Sequence, residues 1–313
     1  MKIAFVGKGG SGKSTISSAF VAYLLQENQK IVAVDADINQ HFAAQINAPF
    51  KPELALALDN NKAAIRQYLV GDNPRITGSK QMVKTTPPGR GSKLVVLNND
   101  NKLLQQYATK FSDNGYFMHV GTYESDGIGM SCYHTSLSIF ENILSHTPVN
   151  AADEWVVADM VAGTDAFSGP LHAMFDLLCV VVEPTVESVS VYKQFIGLAQ
   201  AAGVDSRVRI IANKIDDHDD ESYIEQETGT TILASIAYDP ALRRRAREAG
   251  TTEVSKHVVD AMRVVASEAV AVKRSPAEHL AELQKLHKVF ARQKFTIDKY
   301  GDTLGHIDTE FNF

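Results

Sequence analysis

Cysteine is scarce in this chain: Cys132 and Cys179 are the two in 313 residues. Two thiols do not describe a disulfide framework, so a reducing compartment, the cytoplasm, is the expected setting. Long apolar runs are missing as well. No stretch approaches the ~20 residues needed to cross a bilayer, which argues against an integral membrane segment. The first residues pass straight into a strand-like run, so no secretory leader is expected. Neither charge is in large excess. The net charge of −6 at pH 7 argues against a protein dedicated to coating nucleic acid. There is no internal repeat and no low-complexity tract. With 44% hydrophobic and 22% charged residues, the composition is that of a globular chain long enough for one large domain or two smaller ones.

What is present is concentrated near the start. Gly7-Lys8-Gly9-Gly10-Ser11-Gly12-Lys13-Ser14-Thr15 follows the apolar run Ile3 to Val6 and precedes the helix-like spacing of Ile16 to Leu25. Gly7, Gly12, Lys13 and Ser14 fit G-x-x-x-x-G-K-[ST], and strand, turn and helix start supply the required context. Backbone N–H groups in such a turn converge on one concavity suited to an anion. The helix behind adds the partial positive charge of its N-terminus. Lys13 is expected to reach the β- and γ-phosphates of a nucleotide, and Ser14 to place its hydroxyl on Mg²⁺.

Short apolar runs recur at Lys30 to Val34, Lys93 to Leu97, Tyr116 to Gly121, Trp155 to Val161, Leu177 to Val182 and Val208 to Ala212. Helical spacing separates them, as in Thr135 to Leu144 and Val189 to Ala202. This alternation predicts an α/β fold: a doubly wound, mostly parallel sheet with helices on both faces. Residues 71–92 are punctuated by Gly and Pro and read as an exposed loop. Val258 to Val272 reads as a helix closing the core. Pro276 starts another, with Leu280, Leu283, Leu286, Val289 and Phe290 on one side. The expected division is a P-loop ATPase domain over 1–275 and a C-terminal helix and tail over 276–313.

Two strands end in acid. Val32-Ala33-Val34-Asp35-Ala36-Asp37 brings two carboxylates to a strand end, where a parallel sheet has its ligand crevice. Asp37 is placed to orient, or take a proton from, a water attacking the γ-phosphate, and Asp35 to hold the water shell of Mg²⁺. Asp159 ends the second strand, a place that suits a further magnesium ligand, direct or through water. Gly163 follows four positions on. Its N–H is placed to sense the γ-phosphate, with Thr164 to Gly169 as the segment it controls.

With Lys8 preceding the standard loop, Lys8 to Ser14 resembles the deviant phosphate loop of the MinD/ParA-type ATPases. That superfamily includes the nitrogenase iron protein and the nickel-insertion ATPases of carbon monoxide dehydrogenase, the branch this chain is most similar to. The resemblance covers about the first 270 residues. It implies ATP as substrate and a closed, ATP-bound homodimer in which Lys8 reaches the partner subunit's nucleotide. Asp37 matches the family's water-orienting aspartate, and Asp159 to Gly163 its second switch. Gly9, Gly10, Ser11, Gly12 and Thr15 complete the nucleotide-binding loop. An Asn at position 213 bonds adenine in these ATPases, and Tyr238, Asp239 and Pro240 pack over the base. Asn213-Lys214-Ile215-Asp216 also spells the N-K-x-D sequence that reads guanine in GTPases, so GTP is the alternative substrate.

The segment Asp126 to His134 resembles the one that carries the first cluster cysteine of the iron protein. The match is incomplete. Cys132 stands without the C-x-C pair of the nickel-insertion ATPases, position 134 is His, and Ala162 stands where the iron protein has its second cluster cysteine. This argues against a four-cysteine cluster. Two readings remain. Cys132 and His134 from two subunits form a tetrahedral set suited to Zn²⁺, or to Ni²⁺ in another geometry. Alternatively, they are an ordinary loop cysteine and an exposed histidine. Cys179, inside an apolar strand, reads as a small buried hydrophobe. The implied role is client handling, with a metalloenzyme as the client. A positioning or partitioning ATPase on DNA or membrane is the alternative, for which Arg243 to Arg247 and Lys285, Lys288, Arg292 and Lys294 supply basic helix faces.

Overall fold

The computed structural model describes residues 1–122, 133–148, 151–167, 169–240, 242 and 254–313, with the side chains of Tyr133 and His134 outside that description. Eight strands form one sheet among these residues: β1 (Lys2–Gly7), β2 (Lys30–Ala36), β3 (Thr109–Ser112), β4 (Gly115–His119), β5 (Glu154–Met160), β6 (Leu177–Val182), β7 (Val208–Ile215) and β8 (Ile232–Ala237). Their order is β3-β4-β2-β5-β1-β6-β7-β8, and every pair is parallel except the β3–β4 hairpin at one edge.

The central strands are apolar at nearly every position because both faces are covered. Side chains alternate between two cores. Ala4, Val6, Val156 and Ala158 share a core with α3 (Asp59–Val70), α4 (Lys102–Tyr107), α5 (Tyr133–Ser145), α6 (Leu171–Met174), α7 (Val186–Ala202) and α8 (His218–Thr228). Ile3, Phe5, Trp155 and Val157 meet α1 (Lys13–Gln26), α2 (Phe42–Gln45) and α9 (Lys256–Ala271). From β1 the chain passes to β2 through α1 on one face. From β6 it passes to β7 through α7 on the other. This reversal opens a crevice at the carboxyl ends of the central strands.

Several local expectations need correction. Lys93–Leu97 is extended but is not a strand. The Lys93 N–H donates to Leu69 O at 3.1 Å and the Val95 N–H to His146 O at 2.8 Å. The place beside β4 is filled by β3 instead. Residues 71–92 are irregular, yet Thr85 to Gly89 are buried. Asn142 Nδ2 donates to Val83 O at 2.8 Å, and Arg90 Nε to the buried carboxylate of Asp308 at 2.9 Å. Pro87 and Pro88 are buried with them, while Pro74 stays exposed.

Helix α10 (Pro276–Ala291) starts on a capping box between Ser275 and Glu278. Its buried stripe is His279, Leu280, Leu283, His287 and Ala291, while Val289 is 61% exposed. Two histidines replace the expected apolar positions because each ring is hydrogen-bonded: His279 to Lys2 Nζ, and His287 to Thr85 Oγ1 and Thr303 O. Helix α11 (Lys294–Tyr300) and the last residues follow, with Thr303, His306 and Asp308 buried.

Candidate functional site

The loop at residues 7–12 turns through two left-handed glycines. Gly10 has φ 87° and Gly12 has φ 93°, a region closed to most side chains. A Cβ at Gly12 would also run into the Asn213 amide. The Ser11 N–H closes the turn onto Lys8 O at 3.1 Å, and the Ile16 N–H takes Gly12 O at 2.9 Å to start α1. Gly9 and Gly10 are exposed at the mouth, with Lys8 and Thr15 half-buried nearby.

Below the loop lie the acids. Asp35 and Asp159 are registered neighbours on β2 and β5, both essentially without solvent contact. They share the α1-side face with Phe5 and Val157 by alternation along the strands. Their situations differ. Asp35 accepts from the Asp37 N–H at 3.1 Å and the Phe42 N–H at 3.0 Å, which uses both oxygens. Neither Asp159 oxygen has a hydrogen-bond partner within ordinary limits among the described residues. Burial raises Asp35 to about 8, with the Asp159 charge adding to it. Burial likewise raises Asp159 to about 7, against the pull of Lys13 and the nearby Ser14 and Ser17 hydroxyls. Two buried, unpartnered carboxylate oxygens beside a serine hydroxyl fit a hard divalent cation, bound directly or through water.

Lys13 does not point into an open cradle. Its Nζ lies 2.6 Å from Asp37 Oδ2, with both side chains about nine-tenths buried. The other Asp37 oxygen accepts from the Asn39 N–H and side-chain amide, each at 3.0 Å. Gly163 is also tied to the loop, its N–H donating to Gly7 O at 3.0 Å. Asn213 Nδ2 donates to Ser11 O at 2.7 Å, and Lys214 Nζ to Gly10 O at 2.8 Å while it pairs with Glu183. Asp239 bonds Ser255 Oγ at 2.6 Å, and Pro240 beside it is exposed. The structure thus brings Lys13, Ser14, Asp35, Asp37, Asp159, Gly163, Asn213 and Lys214 around one loop. Cys132 and the His134 side chain lie outside the described residues. Cys179 is fully buried in β6, and burial pushes its thiol pKa up.

Two contributors escaped the sequence reading. Glu183 stands one position past β6, and Asn39 two past Asp37. A strand-end position is the only hint the sequence offers for Glu183.

An anion cradle set over buried acids, at the point where a parallel sheet reverses its winding, makes this chain a P-loop nucleoside triphosphatase. Residues 3–251 match the CobQ/CobB/MinD/ParA nucleotide binding domain, and the chain belongs to that family as an ATPase. Among its relatives is the carbon monoxide dehydrogenase accessory protein CooC of Rhodospirillum rubrum. It is 29% identical over 244 residues, covering 78% of this chain and 86% of that protein. An uncharacterized ATP-binding protein of Methanocaldococcus jannaschii is 28% identical over 242 residues, covering 76% of this chain and 86% of the relative. The cell division ATPase MinD of Pyrococcus furiosus has the same fold, with a TM-score of 0.57 at 16% identity over 87% of this chain and 99% of that one. A ParA family ATPase from Chlorobium tepidum gives a TM-score of 0.53 at 16% identity, covering 86% and 98%.

Proposed function

We propose that this ATPase is Mg²⁺-dependent, closes as a homodimer around ATP, and serves the maturation of a metallocentre in a client enzyme. The observation that carries the hydrolytic part is the Lys13–Asp37 pair above the unpartnered Asp159. A triphosphate entering the cradle competes with Asp37 for the Lys13 ammonium. Once released, Asp37 faces the γ-phosphate with its carboxylate free to orient a water. Phosphate binding therefore exposes the group that hydrolysis needs. Ser14 and Asp159, with Asp35 behind, would hold Mg²⁺, which supplies charge neutralisation at the phosphates. Gly163 exchanges Gly7 O for the γ-phosphate, which passes the nucleotide state to residues 164–169. Lys8 completes the partner's site. A cation brought into a shared, water-poor site acts strongly on the transition state, which couples dimerisation to turnover.

The metallocentre role is supported by the likeness to CooC and by Cys132 and His134. Two copies of these residues would offer Zn²⁺ or Ni²⁺ a four-ligand site. We take 1–275 as the ATPase unit and the cytoplasm as its place. No helix among the described residues is long and apolar enough to cross a membrane.

The test is oligomeric state by light scattering. Asp37→Ala should bind ATP without hydrolysing it and accumulate as dimer with MgATP. Asp37→Ala combined with Lys8→Ala should stay monomeric. A monomer in both would remove the dimer. Metal analysis of the wild type against Cys132→Ala, each purified with Zn²⁺ or Ni²⁺, tests the metal site.

A second reading, a positioning ATPase on an anionic surface, is favoured by one feature. Lys285, Lys288, Val289 and Arg292 form an exposed stripe along α10, next to exposed Phe295 and Ile297. ATP-dependent binding to DNA or anionic vesicles would select it. A GTPase reading keeps Asp216 for the base, and competition between ATP and GTP decides it.

A further inference from the structure

Lys214 is a lysine at φ 61° within a strand. The β7–β8 register slips between Asn213 and Ile215, so Lys214 is the additional residue of a bulge. Left-handed backbone is unfavourable for a lysine and persists where its surroundings impose it. Here the bulge sends the side chain to the phosphate loop. Its ammonium donates to Gly10 O at 2.8 Å and pairs with the Glu183 carboxylate. The neighbouring Asn213 holds Ser11 O at 2.7 Å. Glu183 is itself fixed: its side chain is 11% exposed, and its N–H donates to Ser188 Oγ at 3.0 Å in the first turn of α7.

A peptide group is planar, so its C=O and N–H point in opposite directions. Pulling Gly10 O backward aims the Ser11 N–H at Lys8 O, which closes the turn. Pulling Ser11 O backward aims the Gly12 N–H the other way, toward the cradle. We propose that Glu183 is a positioning residue for phosphate binding. It anchors Lys214, and Lys214 with Asn213 holds the loop in its anion-accepting shape before nucleotide arrives. The gain is preorganisation: loop ordering that binding would otherwise have to supply is already in place. This rests on the reading that the loop binds a triphosphate.

Charge alone gives the opposite expectation. Removing a carboxylate near a phosphate site strengthens the field for an anion and should tighten binding. The sign of the Glu183→Gln effect therefore separates positioning from field, and so does the double variant, which leaves the net charge unchanged. MgATP affinity is measured by calorimetry for wild type, Glu183→Gln, Lys214→Met and the double variant, with nucleotide-free melting curves alongside. Both single variants should bind about tenfold more weakly, raise KM more than they lower kcat, and melt within about a degree of wild type. The double variant should lose no more than either single one, because both act through one brace. Glu183→Asp keeps the charge and shortens the reach to Lys214, so it carries the test if Glu183→Gln fails to fold, with weaker MgATP binding again the expected result. Unchanged or tighter binding in the single variants would overturn the proposal, as would losses that multiply in the double variant. A wild type that binds no MgATP would instead remove the triphosphate reading on which the proposal rests.

Discussion

Asp159 is a residue whose surroundings fit it poorly: both of its carboxylate oxygens are buried without a hydrogen-bond partner among the described residues. It is buried, unpartnered and next to another buried acid. Its pKa of about 7 lies above the ordinary value of 3.8, with burial as the first cause. Folding therefore favours its protonated form. Stability from this group is lost as the pH rises from about 4 to about 7 and is level above that. Asp159→Asn has no proton to lose. Its melting temperature without nucleotide should exceed the wild type's by a margin that grows over this range and then stays constant. The stabilisation by MgATP should be lost with it. Equal melting temperatures from pH 4 to pH 8 would contradict the assignment. Residues 7–15, Asp35, Asp37 and Asp159 were legible in sequence because each ends an apolar strand or follows one at fixed spacing. Glu183 and Asn39 were not, since their partners are fixed by tertiary contact. Asn213 and Lys214 were legible as a pattern. Their aim was not, because a bulge in β7 sets it.

Among the elements, the parallel core was readable from the runs that became β2, β4, β5, β6 and β7, since burial on both faces leaves few polar positions. Edge strands leave a weaker trace. β3 and β8, the two edges, are both absent from the expected strands, and Lys93–Leu97 passes for one because an apolar extended run looks the same whether it joins a sheet or lies against its neighbours. The segment 71–92 shows how glycines divide between need and habit. The Asp72 N–H donates to Gly91 O at 2.9 Å, so the two ends of the segment meet backbone to backbone. Gly91 has φ 85°, and a Cβ there would lie 2.6 Å from the Asp72 carbonyl carbon. Gly78 has extended backbone and open space around it. Gly91→Ala should cost roughly 2–4 kcal/mol by urea unfolding, and Gly78→Ala should change stability by less than about 0.5 kcal/mol. Equal effects would mean that the close approach at Gly91 does not hold the segment.

For the whole molecule, the family's nucleotide-binding domain ends at residue 251, yet the chain beyond it is packed into the fold. Leu283 joins the core on the α5 side, and the Asp308 carboxylate takes Arg90 and Arg75. The tail thus clamps the segment 71–92, which in turn holds α5 through Val83. No sequence pattern announced that clamp, because it is built from contacts about 220 residues apart. Ligand binding should act on the whole unit, raising its melting temperature as RT ln(1 + [L]/Kd) prescribes.

The most direct measurement is a calorimetric titration of MgATP into wild type and Lys13→Ala. The account predicts one nucleotide per chain for the wild type. It predicts roughly 30- to 160-fold weaker binding for Lys13→Ala, since a charge-assisted contact to phosphate is worth about 2–3 kcal/mol. No binding to the wild type, or equal affinity in both proteins, would contradict it.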